Sequence, residues 1–471
     1  MPSRRQTAFS YPKFAVVGHP NKGKSSIVST LAFDDAVQIS DTPGSTTKKQ
    51  SFPLKVDGKI LYELFDTPGF QRARRVLAWL EKHEVAADKK HEVVQAFVNE
   101  HKEDERFQDE IELLEPIMAG AGIIYVVDGS KPYGEEYEAE MEILRWTGQP
   151  SMALINLIDD TNYVEEWKRA LGHYFKMVRV FNPMEADFTQ HLNLLESMAQ
   201  LNEEWTDPVK ASITLFKQYY EQMFEQSAST VTQLLYRSLS HVEQLSLNDE
   251  DVTAEEKEAI EAAYQKQLRS YETESQKRIE KIWNHDHLQK EQESLPFEGM
   301  DLFSKESASI FGLTRKELLI TGATGGAVTG AGIDLLLGGS TLLLGSAIGA
   351  VVGGSGAFFG FNELSDVKVL GQNLGKKYLE TGPMKNLNFP YILLNRALYH
   401  ASEVASRSHA LRSVVKFEMG QSFTERWMDD SIRKSLEKFH SKFRSGDEVK
   451  AEELKEYEKL IKTVLKRLID S

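Results

Sequence analysis

The apolar positions of this chain follow two regimes. Up to about residue 205, short apolar runs suited to buried strands alternate with stretches of helical spacing. The strand-like runs are Phe14–Val17, Ser51–Val56, Ile60–Phe65, Gly122–Asp128, Met152–Ile155 and Phe175–Val180. Asp57-Gly58 between two of them predicts a hairpin. Ser26–Leu31 and Thr189–Trp205 predict helices, the second closing the domain. From Asp207 the pattern becomes helical almost throughout. Phe216, Tyr219, Tyr220, Met223 and Phe224 recur three and four apart, the spacing of a core-facing stripe. Leu245–Asp251 reads as an inter-helix loop. Thr253-Ala254-Glu255-Glu256 has the form of a capping box ahead of Ile260, Tyr264, Leu268 and Tyr271. Glu452–Leu468 predicts a last amphipathic helix suited to self-association or a partner.

Two segments depart from these regimes. Residues 71–116 form a charged insertion whose Val76, Leu77, Leu80, Val93, Val94, Phe97 and Val98 predict two or more amphipathic helices. This is either a solvated helical excursion or an effector element carrying a cis-acting arginine, Arg72, Arg74 or Arg75. Residues 318–361 contain one charged residue, Asp334, and glycines four apart at Gly322, Gly326, Gly330 and at Gly345, Gly349, Gly353. Small residues at that spacing let helix backbones approach closely. The segment predicts a glycine-rich apolar hairpin of two helices, with cations on both flanks (Arg315 and Lys316; Lys368, Lys376 and Lys377). It is expected either in a membrane or as a buried pair inside a helical domain. The expected domains are therefore 1–205, 206–317, 318–361 and 362–471.

The chemistry concentrates in one stretch. Gly18-His19-Pro20-Asn21-Lys22-Gly23-Lys24-Ser25 comes after an apolar strand and precedes a helix, the context of a phosphate-binding loop. Backbone N–H groups and the positive helix end would face an anion. Gly18, Asn21, Lys22, Gly23, Lys24, Ser25 and Ser26 form the expected cradle, with Lys24 on the β- and γ-phosphates and Ser25 on magnesium. Thr46, in the turn-rich Ser40–Thr47, suits a residue that caps magnesium and senses the γ-phosphate, with Thr47 as the alternative. Asp66-Thr67-Pro68-Gly69 ends a strand; Asp66 would support the metal and Gly69 N–H would meet the γ-phosphate. Asn156 and Asp159, three apart at a strand end, can read the edges of a guanine.

Composition narrows the partners. The chain has 471 residues, 41% of them hydrophobic, and a net charge of −15. That balance argues against a nucleic-acid surface spread over the molecule. With no cysteine, disulfides, thiolate metal sites and cysteine nucleophiles are excluded. Residues 1–13 are short and basic and show no secretory signal.

On these motifs, residues 12–205 resemble a Ras-like P-loop GTPase domain of the Era/TrmE bacterial class. The whole chain resembles bacterial Era-like GTPases with a C-terminal domain of unknown function. The resemblance implies an α/β fold: a mixed, largely parallel six-stranded sheet with its second strand antiparallel, helices on both faces and the site at the carboxyl ends of the strands. A large all-α domain bearing the glycine-rich hairpin would come after it. The resemblance also implies hydrolysis of GTP to GDP and phosphate, with Lys24, Thr46 and Gly69 in catalysis, Ser25, Thr46 and Asp66 on magnesium, and Asn156 and Asp159 on the base.

Three positions depart from the family pattern. Leu157 stands where the family's base motif has lysine, which weakens guanine preference and leaves adenine open. Asn182 stands where the family has a Ser-Ala loop at the nucleotide. Phe70 replaces a water-orienting glutamine and cannot orient water. Asn21 either stabilises the turn or, as in the TrmE-like group, helps bind a potassium ion that stimulates hydrolysis. The expected function is a GTP-dependent switch at the inner face of the cell membrane, cytoplasmic, with a membrane or membrane-protein partner and without nucleic acid. The alternatives are a ribosome- or RNA-associated Era-like GTPase and a nucleotide-controlled pore-like protein.

Overall fold

The computed structural model describes residues 11–32, 48–56, 58–158, 162–186, 188–247, 252–285, 301–304, 307, 311–312, 367–371, 377–407, 423–446 and 448–469. Thr46, Asp159 and the hairpin expected over 318–361 lie outside them. The chain divides into one compact unit spanning residues 1–221 with 407–412, and a second spanning 222–406 with 413–471.

The first unit is built on a six-stranded sheet. Its strands are β1 (Lys13–Val17), β2 (Gln50–Val56), β3 (Lys59–Asp66), β4 (Gly122–Asp128), β5 (Ser151–Asn156) and β6 (Val178–Phe181), in the order β2-β3-β1-β4-β5-β6. Only β2 runs antiparallel to its neighbour. β1 and β4 are buried along nearly all their length, as strands covered on both faces must be. On one face pack helices α2 (Ala73–Leu80), α3 (Lys90–Glu100), α4 (Gln108–Met118), α5 (Glu136–Trp146) and α6 (Val164–Leu171) around Ala15, Val17, Ile123 and Tyr125. On the other lie α1 (Lys24–Ala32), α7 (Phe188–Ala199) and the start of α8 (Glu203–Ser240) around Phe14, Val16, Ile124 and Val126. Alternate residues of one strand thus feed opposite cores.

The insertion at 71–116 is α2, α3 and the first part of α4. It is not a solvated excursion. Val76, Leu80, Val94, Phe97, Ile111 and Leu114 are buried in the same core as β4. The helix expected over Thr189–Trp205 is two helices. It breaks at Asn202, whose Oδ1 accepts the Glu204 N–H at 3.0 Å as the cap of α8. Trp205 stacks edge-on against Phe14, and Val209, Ile213 and Phe216 join the sheet's core. The compact unit therefore runs on to Glu221, past the expected boundary at residue 205.

The second unit is largely helical. It holds the rest of α8, α9 (Ala254–Ile282), α10 (Phe389–Ser406), α11 (Asp430–Ser445) and α12 (Ala451–Ile469). The capping box at Thr253 and Glu256 forms as expected. The unit is not purely α: β7 (Glu243–Ser246), β8 (Val367–Gly371) and β9 (Lys377–Thr381) make an antiparallel sheet in the order β7-β9-β8. Leu245 and Ser246, expected in a loop, lie in β7. Helix α10 is buried on nearly all sides although it carries Asn395, Arg396 and His400. Each meets a partner: Arg396 reaches Glu272 at 2.6 and 3.2 Å, His400 reaches Glu280 at 3.2 Å, and Asn395 donates to the Phe311 carbonyl at 2.6 Å.

Candidate functional site

The carboxyl ends of the central strands converge because the sheet is parallel there. Val16 is in register with Asp66, and Asp128 with Asn156. The loop Gly18–Gly23 leaves β1 at this edge and enters α1 at Lys24. Asn21 and Gly23 both sit at positive φ, +60° and +79°, which turns the chain sharply enough to aim its amides inward. Asn21 is the less usual of the two, since only glycine adopts that region without steric cost.

Lys24 is buried beneath the loop. Its Nζ donates to the carbonyls of Gly18 at 3.3 Å and His19 at 3.0 Å. Burial is the largest influence on its ammonium and lowers its pKa to about 8, against the opposing pull of Asp66 and Glu140. Ser25, the first turn's hydroxyl, donates to Asp66 Oδ2 at 2.7 Å. Thr67 donates to the Val16 carbonyl at 2.8 Å, locking the turn after β3 onto β1. Gly69 then passes so close to the loop that a Cβ there would lie 2.6 Å from Pro20 N. The next N–H, of Phe70, points to the Gly18 carbonyl at 3.4 Å. The Phe70 ring is buried in the core with Val76 and Phe97, so it turns away from solvent.

At the end of β5, Asn156 Nδ2 donates to the Lys22 carbonyl at 3.0 Å, and the Gly129 N–H donates to the Asn156 carbonyl at 2.8 Å. Asn156 Oδ1 is buried and accepts no hydrogen bond among the described residues. Such an acceptor is costly to leave without a donor, which suits a ligand amine. Asn182 uses its Oδ1 on the Met184 N–H at 3.0 Å, closing a local turn after β6. Ser26 is buried within α1. Arg72 donates to the Arg106 carbonyl at 2.5 Å, while Arg74 and Arg75 lie exposed on α2.

Several contributors had no motif to announce them. His19 meets the buried Glu140 of α5 at 2.8 Å, and Tyr125 donates to the same carboxylate at 2.9 Å. Lys22 lies 3.7 Å from Asp128, the acid that ends β4. Glu110 of α4 accepts the N–H groups of Gln71 and Arg72 at 2.9 and 2.5 Å. The available signal was a lone carboxylate at a core-facing helical position, Glu140 beside Tyr137 and Met141, Glu110 beside Ile111 and Leu114.

The donor set suits magnesium. Ser25 and Asp66 bring a hydroxyl and a carboxylate together beside the loop Gly18–Gly23, and hard oxygen donors are what that ion takes.

Comparison with known proteins matches both halves. The family model of a 50S ribosome-binding GTPase covers residues 13–157. The model of a domain of unknown function, DUF3482, covers residues 168–468. Among curated proteins, GTPase Der of Mycoplasma pneumoniae is 26% identical over 223 residues, 46% of this chain and 44% of that protein. GTPase Der of Herminiimonas arsenicoxydans is 41% identical over 73 residues, 16% of each. The chain thus spans less than half the length of these relatives. A crystal structure of Aquifex aeolicus Era bound to GDP and aluminium fluoride aligns with a TM-score of 0.25 and 12% identity, over 57% of this chain and 88% of that one.

Proposed function

Since the chain belongs to the DUF3482 family and carries a P-loop GTPase domain ahead of that region, we propose that it binds GTP and hydrolyses it to GDP and phosphate as a molecular switch. One observation carries the reading: Ser25 and Asp66 meet at 2.7 Å beside a loop whose buried Lys24 donates its hydrogen bonds, among the described residues, to backbone carbonyls. When phosphates enter, Lys24 exchanges those carbonyls for phosphate oxygens. Magnesium, held by Ser25 and Asp66 with Thr46 proposed as a third ligand, would neutralise the phosphate charge. Gly69 N–H lies at the edge where the γ-phosphate would sit. Asn156 offers its Oδ1 to the base, with Asp159 as its proposed partner, and Asn182 is the proposed outer contact. Because Leu157 carries no cation, adenine remains a competitor to be tested against guanine. Water attack would gain from positioned charge rather than from a protein base.

Hydrolysis needs help that Phe70 does not give, and the Arg72 guanidinium already bonds a carbonyl. The proposed help is a potassium ion at Asn21, an exposed residue of the loop with a left-handed backbone. Turnover of the full chain is expected to be faster in potassium than in sodium, and Asn21→Ala to abolish the difference. Equal turnover in both salts refutes it. The test of the whole reading is Lys24→Ala, which should lose GTP binding and hydrolysis together; normal hydrolysis by that variant overturns it.

The partner is proposed on two grounds. Residues 318–361 favour a membrane, although no helix among the described residues is long and apolar enough to cross one. The matching family's description names the 50S ribosome, so the expectation that nucleic acid is no partner is withdrawn. Membrane partition after a carbonate wash, with and without residues 318–361, separates the two from each other. Retention lost with the deletion supports the membrane, and retention by neither turns the search to ribosomal subunits.

A further inference from the structure

Helix α4 grips the backbone just downstream of both loops expected to sense the γ-phosphate. Glu110 is fully buried, and one of its oxygens accepts the N–H groups of both Gln71 and Arg72, directly after Gly69 and Phe70. Burial raises its carboxyl above the usual range, against the pull of those two N–H groups. Two residues on, Glu112 accepts the Lys49 N–H at 3.2 Å, and Glu115 pairs with Lys49 Nζ at 2.5 Å. Lys49 lies three residues past Thr46. The helix bearing these carboxylates is itself anchored, since Ile111, Leu113, Leu114 and Ile117 are buried in the sheet's core. The segment after Asp66 is thus gripped from two sides. Phe70 N–H and the close pass of Gly69 at Pro20 tie it to the phosphate loop, and Glu110 ties it to α4.

We propose that α4 is a common anchor for the two γ-phosphate-sensing segments, with Glu110 the positioning residue that sets the height of Gly69 through the backbone of Gln71 and Arg72. The inference rests on the GTPase reading above. It explains why the 71–116 insertion is packed into the core. The anchor must be rigid to hold two segments in one register, and a carboxylate on backbone N–H groups does so whatever side chains stand at 71 and 72. Lys49 and Glu115 form the second, more exposed grip.

The experiment uses the full chain. Glu110→Ala should raise amide exchange at Gln71 and Arg72 and slow single-turnover GTP hydrolysis about ten- to a hundredfold, the scale of a catalytic group displaced by about an ångström. Its GDP affinity should stay within about twofold, because neither the phosphate loop nor the base site is touched. Glu110→Gln, which keeps an acceptor oxygen, should recover most of the rate. The double variant Glu112→Ala with Glu115→Ala should raise exchange around Lys49. Combined with Glu110→Ala, it should slow hydrolysis by less than the product of the separate losses. Unchanged hydrolysis in Glu110→Ala overturns the proposal, as does GDP affinity falling in step with the rate, or separate losses that multiply. If Glu110→Ala does not fold, Glu110→Met, close in shape but without an acceptor oxygen, carries the same measurements. A wild-type chain that turns over no GTP would sink the enzymatic reading. Exchange at Gln71 and Arg72, compared in GDP between wild type and the variant without an acceptor at 110, would still decide the anchor.

Discussion

Gly23→Ala is the sharpest test of how the phosphate loop is built. At φ +79° an alanine is strained by about 1–2 kcal/mol. Its Cβ would also lie 2.1 Å from Asn156 Nδ2, so the amide must swing away. That swing breaks the 3.0 Å hydrogen bond to the Lys22 carbonyl in a site where Asn156 Oδ1 already has no donor among the described residues. Stranding buried polar groups costs about 1–3 kcal/mol. The two effects together come to about 2–5 kcal/mol. A free loop can relax away from the clash, but a bound nucleotide must restore it, so the cost should appear as lost affinity. At 1.4 kcal/mol per tenfold the lower end is about thirtyfold in the Kd for GDP. The assay is titration of a fluorescent GDP analogue, with thermal melting to catch any share borne by stability. The same substitution made on Asn156→Ala should cost only the backbone strain, a coupling of about 1–3 kcal/mol between the two sites. Equal losses in both backgrounds would show that the amide is not what Gly23 makes room for.

Two more outcomes rest on buried charges. Lys24 has a folded pKa lowered to about 8 from 10.5, so the unfolded chain binds more protons between these values. Its contribution is therefore unfavourable below pH 8 and is relieved as pH rises toward 10.5. An incoming phosphate restores the ammonium, so GDP affinity should be level below pH 8 and fall as pH rises beyond it. A wild-type profile flat to pH 10 refutes the burial argument. In the helical unit, Glu272→Ala leaves the Arg396 guanidinium buried without its bidentate carboxylate. Breaking a buried pair in this way costs about 3–5 kcal/mol. Chemical denaturation should show that loss with GDP affinity unchanged, and a loss under about 1 kcal/mol would mean that the pair is solvated.

What could be read from the chain alone was whatever short-range chemistry announces. Gly18–Ser25, Asp66–Gly69 and the apolar strand runs each carry their meaning in adjacent residues. Turn conformation, apolar strand patterning and helix capping depend on neighbours within a few positions. Thr253 and Glu256 were legible for the same reason, and the cap formed as expected. Asn156 was legible as a polar residue ending a buried strand. Local pattern did not reveal that its amide would clamp the Lys22 carbonyl, 134 positions away in the sequence.

The misreadings share one cause. The 71–116 insertion stayed open between a solvated excursion and an effector element because its charges are many, and charge count does not say whether the apolar stripe between them finds a core. The break at Asn202 was missed because α7 and the start of α8 face the same sheet and share one apolar stripe. β7 was missed because four residues, Glu243–Ser246, become a strand only when β9 supplies the hydrogen bonds. Glu110, Glu140 and Asp128 were invisible for a related reason. A carboxylate's role is set by which N–H, imidazole or ammonium comes within about 3 Å of it, and His19, the partner of Glu140, lies 121 positions away. The chain's own pattern thus determined the strand–loop–helix at Gly18–Ser25, the strands and the helical second half. Only the packed sheet decided which buried charges meet, because burial and long-range pairing are properties of the folded core and of no single stretch within it.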